Sequence, residues 1–227
     1  IRSILSELEA SGLFAKMRSH PRPISIEPGR TVTLSGTVTS LQTAHGIERV
    51  DIEEAGPGDI VSVAGLPEVR VRGQGGLLDV TAHPQFARNG LVYWSFADGS
   101  MSNVGTEVAR GRLVGDAASG YRLENVEVVF QQRPKGGSGN HFGSRLVWGR
   151  DGNLFITLGD RGQMSEAQNP SNHIGKVLRV TDAGKVPADN PFVKAAETQP
   201  EIFSLGHRNV QGAALHPVTG ELGAHEH

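Results

Sequence analysis

One unit recurs along the second part of the chain: a strand-like apolar run, a tight turn that ends in glycine, and a second apolar run. Leu77-Leu-Asp-Val-Thr-Ala-His-Pro passes through Asn89-Gly90 into Leu91-Val-Tyr-Trp-Ser-Phe. Arg145-Leu-Val-Trp passes through Asp151-Gly152 into Asn153-Leu-Phe-Ile-Thr-Leu, and Gly212-Ala-Ala-Leu-His-Pro through Thr219-Gly220 into Glu221-Leu. The turn glycines Gly90, Gly152 and Gly220 lie roughly 60 to 70 residues apart, and self-similarity of this kind marks a repeat architecture. Strand-turn-strand units with no helices between them predict the blades of a β-propeller. Residues 63–227 hold about three such units, so the expected fold is all-β, a partial propeller. Three blades leave two open sheet faces, to be covered by the first part of the chain or by oligomerisation through the blade edges. The simplest expectation is a piece of a longer protein.

The first part, residues 1–62, has another texture. Ile4, Leu5, Leu8, Leu13, Phe14 and Met17 are spaced for a short amphipathic helix, interrupted near Gly12 and closed by Pro21 and Pro23. Thr31-Val-Thr-Leu-Ser, Thr37-Val-Thr-Ser-Leu and Ile60-Val-Ser-Val-Ala read as short strands of a small β segment. The change of texture near residues 63–65 places a domain boundary there and is what a join to a foreign segment would produce.

Composition removes several classes. The formal net charge is -2 with 20% charged residues, which gives no basic field for nucleic acid. No cysteine is present, so disulfides, thiolate metal sites and cysteine nucleophiles are excluded. With 30 glycines and 12 prolines the chain is too turn-rich for a helical bundle. No apolar run is long enough for a membrane helix, and the first residues do not form a signal peptide.

The polar residues that could carry chemistry sit in glycine-bracketed loops at the ends of the repeat strands. These are Gly73-Gln-Gly-Gly, Gly139-Asn-His-Phe-Gly-Ser-Arg, Leu158-Gly-Asp-Arg-Gly-Gln and Gly206-His-Arg-Asn-Val-Gln-Gly. In a propeller such loops line the central mouth, where ligands bind. His141 at the entry to an inner strand suits a general base; the alternative is a histidine bonded within a turn. Arg208 offers a planar fork for carboxylates, and Asn209 both a donor and an acceptor. The glycines beside Asp160 and Arg161 predict that both side chains project. His83 and His216, each before a proline, read as turn residues of the repeat. His225-Glu-His lacks the spacing of a zinc helix motif, and no metal ligand is assigned.

Four segments, Leu66-Pro-Glu-Val-Arg-Val-Arg-Gly-Gln-Gly-Gly-Leu-Leu-Asp-Val, Gly139-Asn-His-Phe-Gly-Ser-Arg-Leu-Val, Val186-Pro-Ala-Asp-Asn-Pro-Phe and Gly206-His-Arg-Asn-Val-Gln-Gly, resemble the soluble pyrroloquinoline-quinone (PQQ) aldose sugar dehydrogenases, in order and at compatible spacing. The resemblance implies a six-bladed propeller, a periplasmic location, and oxidation of the anomeric carbon of an aldose to a lactone. It implies that His141 takes the proton of the anomeric hydroxyl while hydride passes to C5 of PQQ. It also implies that Arg208 stabilises the reduced quinone, and that Gln74, Asn140, Arg161, Arg208 and Asn209 contact the cofactor. Asn140 is the expected orienter of the base. The calcium that holds PQQ in that family is bound by carbonyls of a segment that would follow His227, and Gly223 stands where the family usually has Trp. Separately, Gly46-Ile-Glu-Arg-Val-Asp-Ile-Glu-Glu-Ala-Gly-Pro-Gly-Asp-Ile-Val-Ser-Val-Ala-Gly, residues 46–65, is similar to the β-barrel domain of TypA/BipA-type translational GTPases, without any phosphate-binding loop. The sequence does not identify the electron acceptor. Two competing readings are a non-catalytic propeller piece that binds a partner and, lower, a calcium-dependent lactonase-type propeller, which would need converging carboxylates.

Overall fold

The computed structural model describes residues 63–116 and 120–227. The expected N-terminal helix and the strands near residues 31–41 lie outside them. Of the candidate strand at residues 60–64, the described part is β1 (Val63–Ala64), which pairs in parallel with Tyr121 and Arg122.

The remaining elements are β2 (Leu77–Ala82), a helical turn α1 (Phe86–Asn89), β3 (Leu91–Ser100), β4 (Asn103–Asp116), β5 (Gly120–Gln131), β6 (Gly143–Trp148) and β7 (Leu154–Leu158). A 3-10 turn at Met164–Gln168 follows, then β8 (Lys176–Val180), β9 (Ile202–Leu205), β10 (Val210–Leu215) and β11 (Leu222–Glu226). Three sheets result: β1-β5-β4-β3-β2, β6-β7-β8-β9, and the hairpin β10-β11. Within each sheet the strands from β2 onward follow one another in chain order, which is the meander of a propeller blade. Two compact units divide the chain, the larger being Pro67–Arg112 with Asn125–His227, the smaller Leu113–Glu124 with residues up to Leu66. The site lies wholly in the larger.

Within the larger unit the first strands of the sheets, β2, β6 and β10, are neighbours. Asp79 Oδ2 accepts the Leu146 N–H at 2.9 Å, and Thr157 Oγ1 donates to Val210 O at 3.1 Å. The core forms where the first two sheets face each other: Tyr93, Val108 and Phe130 pack with Leu146, Ile156 and Leu178, all buried. β7 and β8 are buried along their whole length. The near-continuous apolar run of β7, and Val177, Leu178 and Val180 of β8, therefore have neighbours on both faces rather than one. Each such Leu or Ile contributes about 1.5–3 kcal/mol on leaving water.

The repeat turns are built as the sequence predicts. Gly90, Gly152 and Gly220 have φ of 65°, 80° and 76°, the left-handed region that glycine enters without a Cβ clash. His83 Nδ1 accepts the Gln85 N–H at 3.0 Å, and His216 Nδ1 accepts the Val218 and Thr219 N–H groups at 3.3 and 3.1 Å. Both histidines are thus turn caps at equivalent places.

Candidate active site

Four loops at the strand ends meet at His141. Gln74 precedes β2, His141 precedes β6, Asp160 and Arg161 follow β7, and Arg208 and Asn209 join β9 to β10. His141 has φ of 57°, an uncommon conformation for a residue with a side chain, which persists where the surroundings impose it. Here its N–H donates to Gln74 Oε1 at 2.7 Å, while the Gln74 N–H donates to Gly139 O at 2.7 Å. Gln74 therefore fixes the backbone of His141.

The ring is fixed by a different residue. His141 Nδ1 lies 2.6 Å from Asp160 Oδ1, and Asp160 is 1% exposed. The same oxygen accepts the Gly162 N–H at 2.8 Å, and the Asp160 N–H donates to Arg208 O at 2.6 Å. An accepting carboxylate on Nδ1 places the ring proton there and leaves Nε2 with its lone pair. Nε2 makes no hydrogen bond among the described residues.

Asn140, the expected orienter, is exposed, and its contact here is its N–H donating to Ser138 Oγ at 3.2 Å. The orienting group is Asp160. Nor do Asp160 and Arg161 project: both turn inward and are 1% exposed. The Arg161 guanidinium lies 3.5 Å from the centre of the Phe142 ring, and its Nη2 donates to Ser138 O. Its Nε and Nη1 are buried without a partner among the described residues. Burial, with Arg72 nearby, pushes the Arg161 pKa down to about 10.

Asn209 is 2% exposed; its Oδ1 accepts the Gly143 N–H at 3.1 Å, which sets the amide and leaves Nδ2 without a protein partner among the described residues. The Arg208 side chain is exposed, with one long contact of 3.5 Å from Nη1 to His227 O. His173 is structural. His173 Nδ1 accepts the Arg133 N–H at 2.9 Å, so its Nε2, 2.8 Å from Glu201 Oε1, carries the proton. No group of three or more metal-binding side chains occurs among the described residues.

Blade-like meanders laid side by side, with a carboxylate-held histidine where their loops meet, define the chain as part of a β-propeller of the dehydrogenase type. It belongs to the glucose/sorbosone dehydrogenase family, whose sequence profile matches residues 48–227, opening ahead of the change of texture near Gly65. It is 42% identical over 175 residues to the aldose sugar dehydrogenase YliI of Escherichia coli K12, covering 77% of this chain and 46% of that protein. The solved soluble aldose sugar dehydrogenase of Escherichia coli, in its apo form, superposes with a TM-score of 0.71 at 42% identity over 77% of this chain and 50% of that one. The PQQ-bound aldose sugar dehydrogenase of Streptomyces coelicolor gives 0.65 at 31% identity over 76% and 48%. The chain thus spans about half the length of the relatives it matches.

Proposed function

We propose that this chain carries the catalytic base and part of the cofactor site of a PQQ-dependent enzyme that oxidises the anomeric carbon of aldoses to lactones. The observation that carries the reading is the His141–Asp160 pair, 2.6 Å apart, with Nε2 left open beside the Arg208–Asn209 loop. Nε2 takes the proton of the anomeric hydroxyl, and Asp160 offsets the charge that the ring acquires. Losing that proton and a hydride from the same carbon converts the hemiacetal to a lactone, with C1 oxidised by two electrons. PQQ, when bound, supplies the acceptor for that hydride.

The residues present suit such a group, which is anionic and rich in acceptor oxygens. Asn209 Nδ2 is an oriented donor without a protein partner among the described residues, and the exposed Arg208 guanidinium is a cation that stabilises charge as it develops. Gln74 and Asn140 border the base from the exposed side of its loop. Arg161, with two unpartnered donors under the same loop, is the deepest of the proposed contacts. Calcium ligands are proposed to follow His227, and the periplasm is the proposed compartment; both rest on the family resemblance.

The test is reduction of a dye acceptor by the full-length protein, with PQQ and calcium added and an aldose as donor. Sugar-dependent reduction that falls about 100-fold or more in His141→Ala is the expected result. Turnover that survives that substitution removes His141 from the mechanism, and no PQQ-dependent turnover in the native protein removes the reading itself.

A further inference from the structure

The His225-Glu226-His227 triplet, which resembles no metal motif, has its acidic member engaged with a different loop. Glu226 Oε1 lies 2.7 Å from His207 Nδ1, and Oε2 accepts the Arg208 N–H at 2.7 Å. One carboxylate therefore takes donors from two consecutive residues. On its other side the same loop is tied to the site: the Arg208 carbonyl accepts the Asp160 N–H at 2.6 Å, and Asp160 holds the His141 ring. His207 is held twice more, its N–H donating to Gly175 O at 3.1 Å and its Nε2 lying 2.9 Å from Ser204 Oγ.

From this geometry we infer that Glu226 is a positioning residue that sets the Arg208 peptide, and through it the place from which Arg208 and Asn209 present their donors to the cofactor. The inference rests on the PQQ reading of the site. Among the described residues the Arg208 side chain has only one long contact of its own, so the location of its guanidinium follows its backbone. That backbone is gripped at the carbonyl by Asp160 and at the amide by Glu226. A carboxylate taking two such bonds is strong enough to order a loop that is otherwise exposed.

The test is a titration of the full-length apo-protein with PQQ, followed calorimetrically with no sugar present. Glu226→Gln keeps an oxygen for the Arg208 N–H, and its amide NH2 can donate to His207 in the other tautomer, so its PQQ affinity should stay within about threefold of the native value. Glu226→Ala should bind PQQ about tenfold more weakly, the scale of one lost charge-assisted hydrogen bond, while the sugar KM of the loaded enzyme stays within about twofold. An affinity unchanged in Glu226→Ala, or equal losses in the two variants, overturns the assignment. If Glu226→Ala does not fold, Glu226→Asp, one methylene too short to reach both donors, carries the same expectation. A native protein that does not bind PQQ overturns the proposed function as well, whereas native binding that Glu226→Ala leaves intact overturns the positioning role alone.

Discussion

His141 has to hold a left-handed backbone and at the same time present one bare ring nitrogen, and separate neighbours meet the two demands. Gln74 secures the peptide and Asp160 the ring. In the full-length enzyme Asp160→Asn should therefore cut kcat by about 100-fold or more with little change in sugar KM, because the amide can impose the wrong tautomer; steady-state kinetics at saturating PQQ would show it. Gly159 is the steric complement of the pair. A Cβ there would sit 2.0 Å from His141 O, so Gly159→Ala must displace the base loop and should cost about 1–3 kcal/mol of stability, read by denaturant titration, along with most of the turnover. The sequence makes His141, Gln74, Arg208 and Asn209 visible as polar residues between glycines. It singles out no orienter by itself; Asn140 is what the family resemblance implies, as the residue beside His141. The missed signal was register: Gly143 pairs with Leu158, and continuing that antiparallel ladder two residues outward sets His141 opposite Asp160. Glu226 left no such trace, since its partners His207 and Arg208 belong to a loop brought to it only by the β10-β11 hairpin.

At the level of the strands, the turn between β6 and β7 is bound to β8. Asp151 Oδ2 accepts from Arg179 Nε at 3.1 Å and also from Nη2, while Asp189 accepts from the other side of the same guanidinium. Burial would raise the Asp151 pKa, but the hydrogen bonds from Arg179 and Asn153 prevail and bring it down to about 2. A carboxylate with a folded pKa below its ordinary value of 3.8 stabilises the fold above that value and loses the contribution as the pH falls toward 2. The difference in unfolding free energy between the native protein and Asp151→Asn should be constant above about pH 5 and shrink steadily toward pH 2. β8 carries a second polar anchor, Lys176, fully buried, whose ammonium donates to Glu166 O, Ala167 O and Ile174 O at 3.0, 2.9 and 2.6 Å. Lys176→Met strands three carbonyls and should destabilise the protein by about 2–4 kcal/mol, measured as a shift of the unfolding midpoint. The inner strands and their glycine turns were legible because they alternate or run apolar between clear breakers. The long strands β4 and β5 were not. Gly105, Gly111 and Gly115 interrupt β4, and Glu107, 3% exposed, interrupts its apolar pattern. It is tolerated because Lys135 Nζ reaches it at 2.6 Å and Gln131 Nε2 at 3.1 Å, partners that sequence spacing does not disclose.

Across the larger unit, one side chain ties all three sheets together. Arg145 on β6 reaches Asp79 on β2, with Nη1 3.4 Å from Oδ1, and donates from Nε to Gln211 O on β10 at 2.6 Å. The side chain is 41% exposed, so solvent screens much of the ionic part, and Arg145→Ala should lower stability by only about 1 kcal/mol. Its more telling effect should be on cooperativity: compared with the native protein, hydrogen exchange of the β10-β11 hairpin should speed up more than that of β7 and β8. The repeat itself was readable as a period of turn glycines, but this contact was not, because it joins equivalent strands of successive repeats and has no period of its own. It also bears on modular exchange. A sheet transplanted from a relative will seat beside β6 more firmly if it offers a carboxylate at the place of Asp79 on one flank, or an unencumbered carbonyl at the place of Gln211 on the other. Arg145 thus acts as a keyway that favours some donor blades over others by a modest margin, whatever their cores have in common.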